Sequence, residues 1–255
     1  MGLLEIQGVI KRFGGLRALS EVTLDVEAGR ISGLIGPNGA GKTTLFNVIA
    51  GVFPPTSGRI LFDGRDITRL KPHRRVKAGI ARTFQNIRLF RNMTVLENVM
   101  VGFHSRTRSE LWGAILRPPA ARREEAESHE RGLEILDFLG ICDRWDELAG
   151  SLPYGPQRVL EIGRAMATGA KILLLDEPTA GMTPQETEEI MGVIERIRGR
   201  GYTIFLIEHD MSMVMNLCER IAVLDFGEKI AEGAPGEIQN NERVVEAYLG
   251  TGAYA

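Results

Sequence analysis

An α/β fold built on a parallel sheet is what this 255-residue sequence predicts, and three stretches predict it. Gly36-Pro37-Asn38-Gly39-Ala40-Gly41-Lys42-Thr43 fills the G-x-x-x-x-G-K-[ST] phosphate-loop pattern at every specified position. Residues 171–176 form an apolar run that ends on Asp176-Glu177, and 202–207 form another that ends on Glu208-His209-Asp210. Runs without polar alternation suit strands buried on both faces, and parallel sheets of this kind hold their ligands outside the carboxyl ends of the strands.

The phosphate loop follows the short apolar run 31–35, which suits a buried strand. It precedes 44–50, which lacks Gly and Pro and suits a helix opening at Thr44. The chemistry of that arrangement is anion capture. Glycines let consecutive backbone N–H groups turn inward around a phosphate, and the helix N-terminus adds partial positive charge. The Lys42 ammonium reaches the outer phosphates, and Thr43 offers a hydroxyl to magnesium.

The remaining elements follow in order. Period-two spacing of Leu4 and Ile6, and of Val22, Leu24 and Val26, predicts two half-buried strands within 3–10 and 21–27. Between them 11–15 reads as a loop. Its Phe13 either stacks on a nucleobase or packs into the small β layer. Pro54-Pro55-Thr56-Ser57-Gly58 breaks the chain, and 59–62 predicts a strand entering a tight turn at Asp63-Gly64. Gln85 stands on a polar loop after Gly79-Ile80, where its amide oxygen can face a metal or a water.

From 105 to 131 the character changes: six arginines and five glutamates lie among small residues, and Pro118-Pro119 separates two helical pieces. Leu133, Leu136 and Leu139 then recur at helical spacing, so a mostly helical insertion is expected over about 90–168. In a parallel sheet Asp176 emerges at the phosphate-loop rim and shares the magnesium of Thr43, while Glu177 points elsewhere along that rim. Two further strands are expected at 220–226 and 228–232, joined through Gly227. A polar helix over 237–249 closes the chain.

Composition narrows the function. Forty-four per cent hydrophobic content supports a substantial core. Thirty-one basic against 33 acidic residues leave a formal charge of −2, so no basic excess points to nucleic acid and none is expected as a partner. Cys142 and Cys218 form no C-x-x-C pair and are expected as buried thiols in a reducing compartment. No apolar run approaches the roughly 20 residues needed to span a bilayer. The N-terminus has no basic region followed by an apolar segment, so the chain is expected to be neither exported nor membrane-spanning by itself.

Taken together, the loop at 36–43, Gln85, Leu152-Pro153-Tyr154-Gly155-Pro156, the strand into Asp176-Glu177, and His209 resemble the ordered motif set of ABC-transporter ATPase subunits. The resemblance covers nearly the whole chain. Within that family the runs 81–90, 152–155 and 207–211 look like the ATPase of branched-chain amino acid importers. The lipopolysaccharide-export ATPase is similar, and a soluble ABC-type ATPase of DNA repair or translation is the rival from another class. No sustained heptads and no second cassette favour the latter, and no N-K-x-D motif favours a GTPase.

The resemblance implies one ABC ATPase domain over 1–255: a P-loop NTPase core with a β-rich N-terminal subdomain and a helical subdomain at about 90–168. It implies ATP and Mg2+ as ligands, with Thr43, Gln85 and Asp176 at the metal. Glu177 becomes the base, with Lys42 and His209 beside it in catalysis, and Phe13 the adenine-stacking ring. The loop 152–156 takes the place of the LSGGQ-like signature, and 180–183 the D-loop. Tyr154 and Gly155 would give their N–H groups to the nucleotide of a second ATPase subunit. Membrane-spanning permease subunits and, indirectly, an external solute-binding protein complete the implied assembly, at the cytoplasmic face of the membrane. Pro153 and Pro156 depart from the serine and glutamine of the resembled signature and remove donors. Pro156 is expected to be the first residue of a helix running to 168.

Overall fold

A computed structural model of the chain describes residues 2–104 and 119–249. The first layer is an antiparallel sheet of β1 (Leu4–Phe13), β2 (Leu16–Val26), β4 (Ser57–Phe62) and β5 (Arg65–Asp66), in the order β2-β1-β4-β5. Leu4, Ile6, Val22, Leu24 and Val26 are buried on one face, as a period of two requires. At Gly8, with φ of 55°, β1 bulges, and Val9 joins the same buried set. The loop expected over 11–15 shrinks to Gly14-Gly15. Lys11, Arg12 and Phe13 pair with Leu19, Arg17 and Leu16, so hairpin pairing extends the strand through charged residues that sequence pattern assigns to a loop. The turn at Asp63-Gly64 has φ of 51° and 72°, the left-handed pair of a tight hairpin turn.

The second sheet contains β3 (Ile31–Ile35), β6 (Ile80–Arg82), β7 (Ile172–Asp176), β8 (Thr203–Ile207), β9 (Arg220–Asp225) and β10 (Glu228–Gly233), in the order β10-β9-β3-β8-β7-β6. The first five named are parallel, and β10 adds an antiparallel edge. Alternation within these strands divides the core in two. Leu173, Leu175, Ile204 and Leu206 join one apolar cluster, whereas Leu34, Leu174, Phe205 and Ile207 join the cluster that includes the small sheet.

Helices cover both faces: α1 (Lys42–Ala50), α2 (Pro72–Ala78), α3 (Val95–Phe103), α4 (Pro119–Leu139), α5 (Tyr154–Ala167), α6 (Pro184–Gly199), α7 (Met211–Leu217), α8 (Pro235–Gln239) and α9 (Glu242–Leu249). Leu136 and Leu139 are buried, and Leu133 packs against the same cluster. Residues 105–118 of the expected helical region lie outside the described residues. The single helix expected over 237–249 is instead two, separated at Asn240-Asn241. There the Asn241 side chain accepts from Arg243 N at 3.1 Å and restarts the helix. Capping boxes begin α3 at Thr94 and Glu97 and α6 at Thr183 and Glu186. Cys218, at the end of α7, is buried against β3, but Cys142 is half-buried because it lies in a short helical turn.

Arg75 of α2 is 1 % exposed. Its guanidinium donates to Val48 O and Ile49 O at 2.6 Å, Thr68 O at 2.9 Å and Leu70 O at 3.0 Å. The first two are carbonyls from the last turn of α1, which have no partner within the helix. Burial pushes this guanidinium down to about 10.

Candidate active site

The site begins where β3 ends. Gly36 has φ of 146°, and a Cβ there would stand 2.0 Å from Leu224 O of β9; Gly41 has φ of 101°, with Ala18 O 2.7 Å from a Cβ. Only glycine fits at either position, so the sheet presses the loop into its curve. Helix α1 starts at Lys42 with no side-chain cap and no acidic residue in its first turn. Its leading N–H groups and dipole are therefore available to an anion.

Lys42 is buried, and its ammonium donates to Gly36 O at 2.6 Å and Pro37 O at 3.0 Å. Two of three N–H bonds thus go to the loop itself among the described residues. Burial lowers its pKa from the ordinary lysine value, against the opposing charges of Glu177 and Asp176. A cleft of about 380 Å³ opens over the loop, lined by Phe13, Asn38, Gly39, Ala40, Gly41, Lys42, Thr43, Thr44 and Phe226. Phe13 has a contact that suits each of its two readings. It meets Phe53 edge-on, with centroids 5.4 Å apart, yet is 41 % exposed into the cleft.

The carboxylates arrive on β7. Register pairs Asp176 with Ile207, which sets Glu177 and Glu208 side by side at the same rim. Asp176 is buried and its Oδ2 accepts from Arg82 Nη2 at 2.7 Å, while Arg82 Nη1 donates to Asn47 Oδ1 of α1 at 2.7 Å. Glu177 has φ of 46°, a left-handed turn that takes the chain off the strand. Its Oε2 accepts from Gln85 Nε2 at 2.8 Å and stands 3.9 Å from His209 Nδ1. Buried Glu208 accepts from Thr179 N at 3.0 Å, Thr179 Oγ1 at 2.7 Å and His209 N at 3.2 Å, fixing the turns that carry Glu177 and His209.

Lys42, Gln85, Asp176, Glu177 and His209 are therefore gathered at one rim. Tyr154 and Gly155 are not in the cleft. Gly155 lines a separate groove of about 400 Å³ with Pro156, Val159 and Glu186. Tyr154 joins the rim only through its hydroxyl, which donates to Ala180 O at 3.0 Å. Helix α5 starts at Tyr154, so Pro156 is its third residue and not its first. The earliest helical bond runs from Gln157 N to Pro153 O at 3.0 Å. Pro156 still removes no helical bond, because that position has no partner in any helix. Sequence reading missed Arg82, Glu208 and the 84 % exposed Phe226. Phe226, with φ of 43°, was legible as the residue before Gly227 in a hairpin turn.

The donor set fits a magnesium ion. It offers the Thr43 hydroxyl, the Gln85 amide oxygen and the Asp176 oxygen not held by Arg82, and Mg2+ takes few carboxylates when phosphates supply the rest. Among the described residues no cluster of three or more His, Cys, Asp or Glu could hold a metal by itself.

A phosphate loop on β3 and a carboxylate pair on β7, two strands away across β8, define a nucleoside-triphosphatase of the phosphate-loop class. More particularly, the chain belongs to the ABC transporter family: the ABC transporter family model matches residues 19–180, and that of the branched-chain amino acid ATP-binding cassette transporter matches 228–254. The high-affinity branched-chain amino acid transport ATP-binding protein BraF of Pseudomonas aeruginosa is 43 % identical over 97 % of this chain and 98 % of its own length. The LivG protein of Escherichia coli, of the same printed description, is 43 % identical with the same coverage. Among solved structures, the ADP conformation of the cassette MJ1267 matches with a TM-score of 0.86 and 35 % identity, over 98 % of this chain and 99 % of that one. A dimeric cassette, MJ0796 bound to ADP and Pi, matches with a TM-score of 0.75 and 26 % identity over 91 % and 98 %.

Proposed function

We propose that the chain hydrolyses ATP to drive uptake of branched-chain amino acids. In this reading it is a single cassette with a helical subdomain at about 90–168, peripheral on the cytoplasmic face of a membrane. It works with a second ATPase subunit, with permease subunits and, through them, with an external solute-binding protein. No helix among the described residues is long and apolar enough to cross a membrane, so the path for solute belongs to partners. The amino-acid assignment rests on the likeness to BraF and LivG over nearly the full length. The catalytic assignment rests on one observation: Glu177 Oε2 is aimed by Gln85 and faces His209, at the rim of the loop that binds phosphate.

Residues 36–44 would hold the triphosphate, with Lys42 exchanging loop carbonyls for β- and γ-oxygens. Phe13 would stack on the adenine. Glu177 would accept a proton from the attacking water, and His209 would orient that water against the γ-phosphate. Thr43, Asp176 and Gln85 would hold magnesium, which when bound neutralises charge on the phosphate oxygens. Tyr154 N–H and Gly155 N–H, lying outside the cleft of their own chain, would serve the nucleotide of the second subunit.

The test is Glu177→Gln. The amide keeps the shape and the contact with Gln85 but loses the proton acceptor, so turnover should fall by about 10²–10⁴-fold with ATP affinity retained. Turnover above about a tenth of wild type removes Glu177 as base. For the solute, vesicles containing this chain with its co-purified permease subunits should take up leucine, isoleucine or valine only when ATP is present on the cassette side.

A further inference from the structure

Arg158 and Glu161, one turn apart on α5, have side chains 0 % and 2 % exposed. Arg158 Nη1 donates to Glu161 Oε2 at 2.8 Å and to Phe84 O at 2.6 Å, and Nη2 donates to Gln85 O at 2.7 Å. Glu161 spends its other oxygen, Oε1, on Arg88 N at 3.2 Å, and Arg164 Nη2 donates to Arg88 O. One face of α5 therefore grips the backbone of 84–88 at four points.

A buried ion pair is poorly explained by stability alone, because apolar residues of similar volume are often as good or better. What this pair does that an apolar pair cannot is bond the backbone of a loop with no regular structure of its own. That loop carries Gln85, whose side chain donates to Glu177 Oε2 at 2.8 Å. A chain of short bonds thus runs from α5 through Arg158 to the Gln85 backbone, then through the Gln85 side chain to Glu177.

We propose that Arg158 and Glu161 are positioning residues that fix the 84–88 segment to α5, so that the placement of this helix sets where Gln85, and through it Glu177, stands at the rim. The inference rests on the reading of Glu177 as the base. It makes the helix that begins with the 152–156 loop a regulator of hydrolysis within its own chain, independent of what its N-terminus offers to another subunit.

The decisive variant is the double replacement Arg158→Met with Glu161→Met, which removes both charges while keeping volume. Expected results are a melting temperature within a few degrees of wild type, ATP affinity within about twofold, and kcat lowered at least tenfold with little change in KM. Amides of 84–88 should exchange with deuterium about tenfold faster, while those of α1 and β7 do not change. Arg158→Lys should give a smaller loss of kcat, since a single ammonium can keep Glu161 but cannot span both carbonyls. A folded double variant with released amides and kcat within twofold of wild type overturns the proposal. Should the double variant not fold, Arg158→Lys decides: unchanged kcat overturns it, and a selective loss of kcat supports it. Undiminished turnover in Glu177→Gln would bring down the reading of the base instead, and the exchange rates at 84–88 would still report the grip of α5.

Discussion

Arg75 and Arg158 are equally buried, one beside α1 and the other on α5, and they hold different kinds of structure. Arg75 gives all its described hydrogen bonds to carbonyls, two of them at the end of a helix that is already rigid, so it closes the phosphate-loop side on itself. Arg158 bonds a loop to a helix from another part of the sequence, so it joins two bodies on the helical side. The contrast separates a site that is built once from a site that is set by its neighbour. Phosphate binding belongs to the first side and proton acceptance to the second.

If that division is right, damage to the phosphate-loop side should appear in binding or stability, with the chemistry intact. Lys42→Ala removes the charge aimed at the outer phosphates, and ATP affinity should fall about 100-fold, for roughly 3 kcal/mol of charge-assisted hydrogen bonding. Calorimetry showing unchanged affinity breaks the comparison at its root. Arg75→Met removes four hydrogen bonds to carbonyl oxygens, of which Val48 O alone keeps a second donor, Gly51 N, among those described, and should destabilise the chain by about 3 kcal/mol. Turnover per folded molecule should stay within twofold of wild type, read by urea denaturation alongside ATPase assays. A specific loss of kcat in that variant would erase the distinction between the two arginines.

The two cysteines give a smaller contrast, one of burial within a single core cluster. Burial pushes the Cys218 thiol up to about 12, with Glu208 and Glu219 adding to it. Its Sγ lies directly beneath Gly33 of β3, where a Cβ would approach to 2.9 Å. The folded state therefore keeps a proton that the unfolded chain releases near pH 8.5. This contribution is full below about pH 8.5 and is lost as the pH rises towards 12, since the folded state binds more protons in that window. Cys218→Ala should flatten the decline of stability over those pH values. In the native protein at pH 8, alkylation should reach half-buried Cys142 first, and modification of Cys218 at an equal rate would show that the strand beneath the phosphate loop opens readily.

The smallest expected effect concerns Pro156. As the third residue of α5 it withholds a donor that is free at the start of every helix, so Pro156→Gln restores one N–H facing outward. Monomer ATP affinity should not move. ATP-driven self-association in the Glu177→Gln background should tighten by at most about tenfold, or 1.4 kcal/mol, measured by sedimentation. Equal or weaker association shows that this turn does not meet the γ-phosphate through its backbone.

What was legible in the sequence was local. The phosphate loop and the strands into Asp176-Glu177 and Ile207 follow from motif and apolar runs, Gln85 and His209 were named through the family resemblance, and all five rim residues named from sequence meet in space. The cap signals Thr94-x-x-Glu97 and Thr183-x-x-Glu186 were equally local: the first starts a helix inside the expected helical insertion, and the second marks a helix that was passed over. Arg75, Arg82, Arg158 and Glu208 were not legible, since buried charge is defined by its partners. Arg82 finds Asp176 across 94 positions, and Arg158 finds Phe84 across 74. In the sequence each looks like one more solvated ion. The hairpin through Phe13 was lost for the related reason that strand pairing overrides a polar local pattern.

The ion pair of Arg82 with Asp176, 7 % and 5 % exposed, carries a consequence for the order of events. Lys42 and Arg82 balance Asp176 and Glu177, the two carboxylates nearest the phosphate loop, so these four charges sum to zero and do not draw a free divalent cation. Phosphate oxygens change that sum by several units and bring ligands of their own. The metal should therefore enter as a complex with the nucleotide rather than ahead of it, and the pocket discriminates against bare cations without any residue dedicated to excluding them.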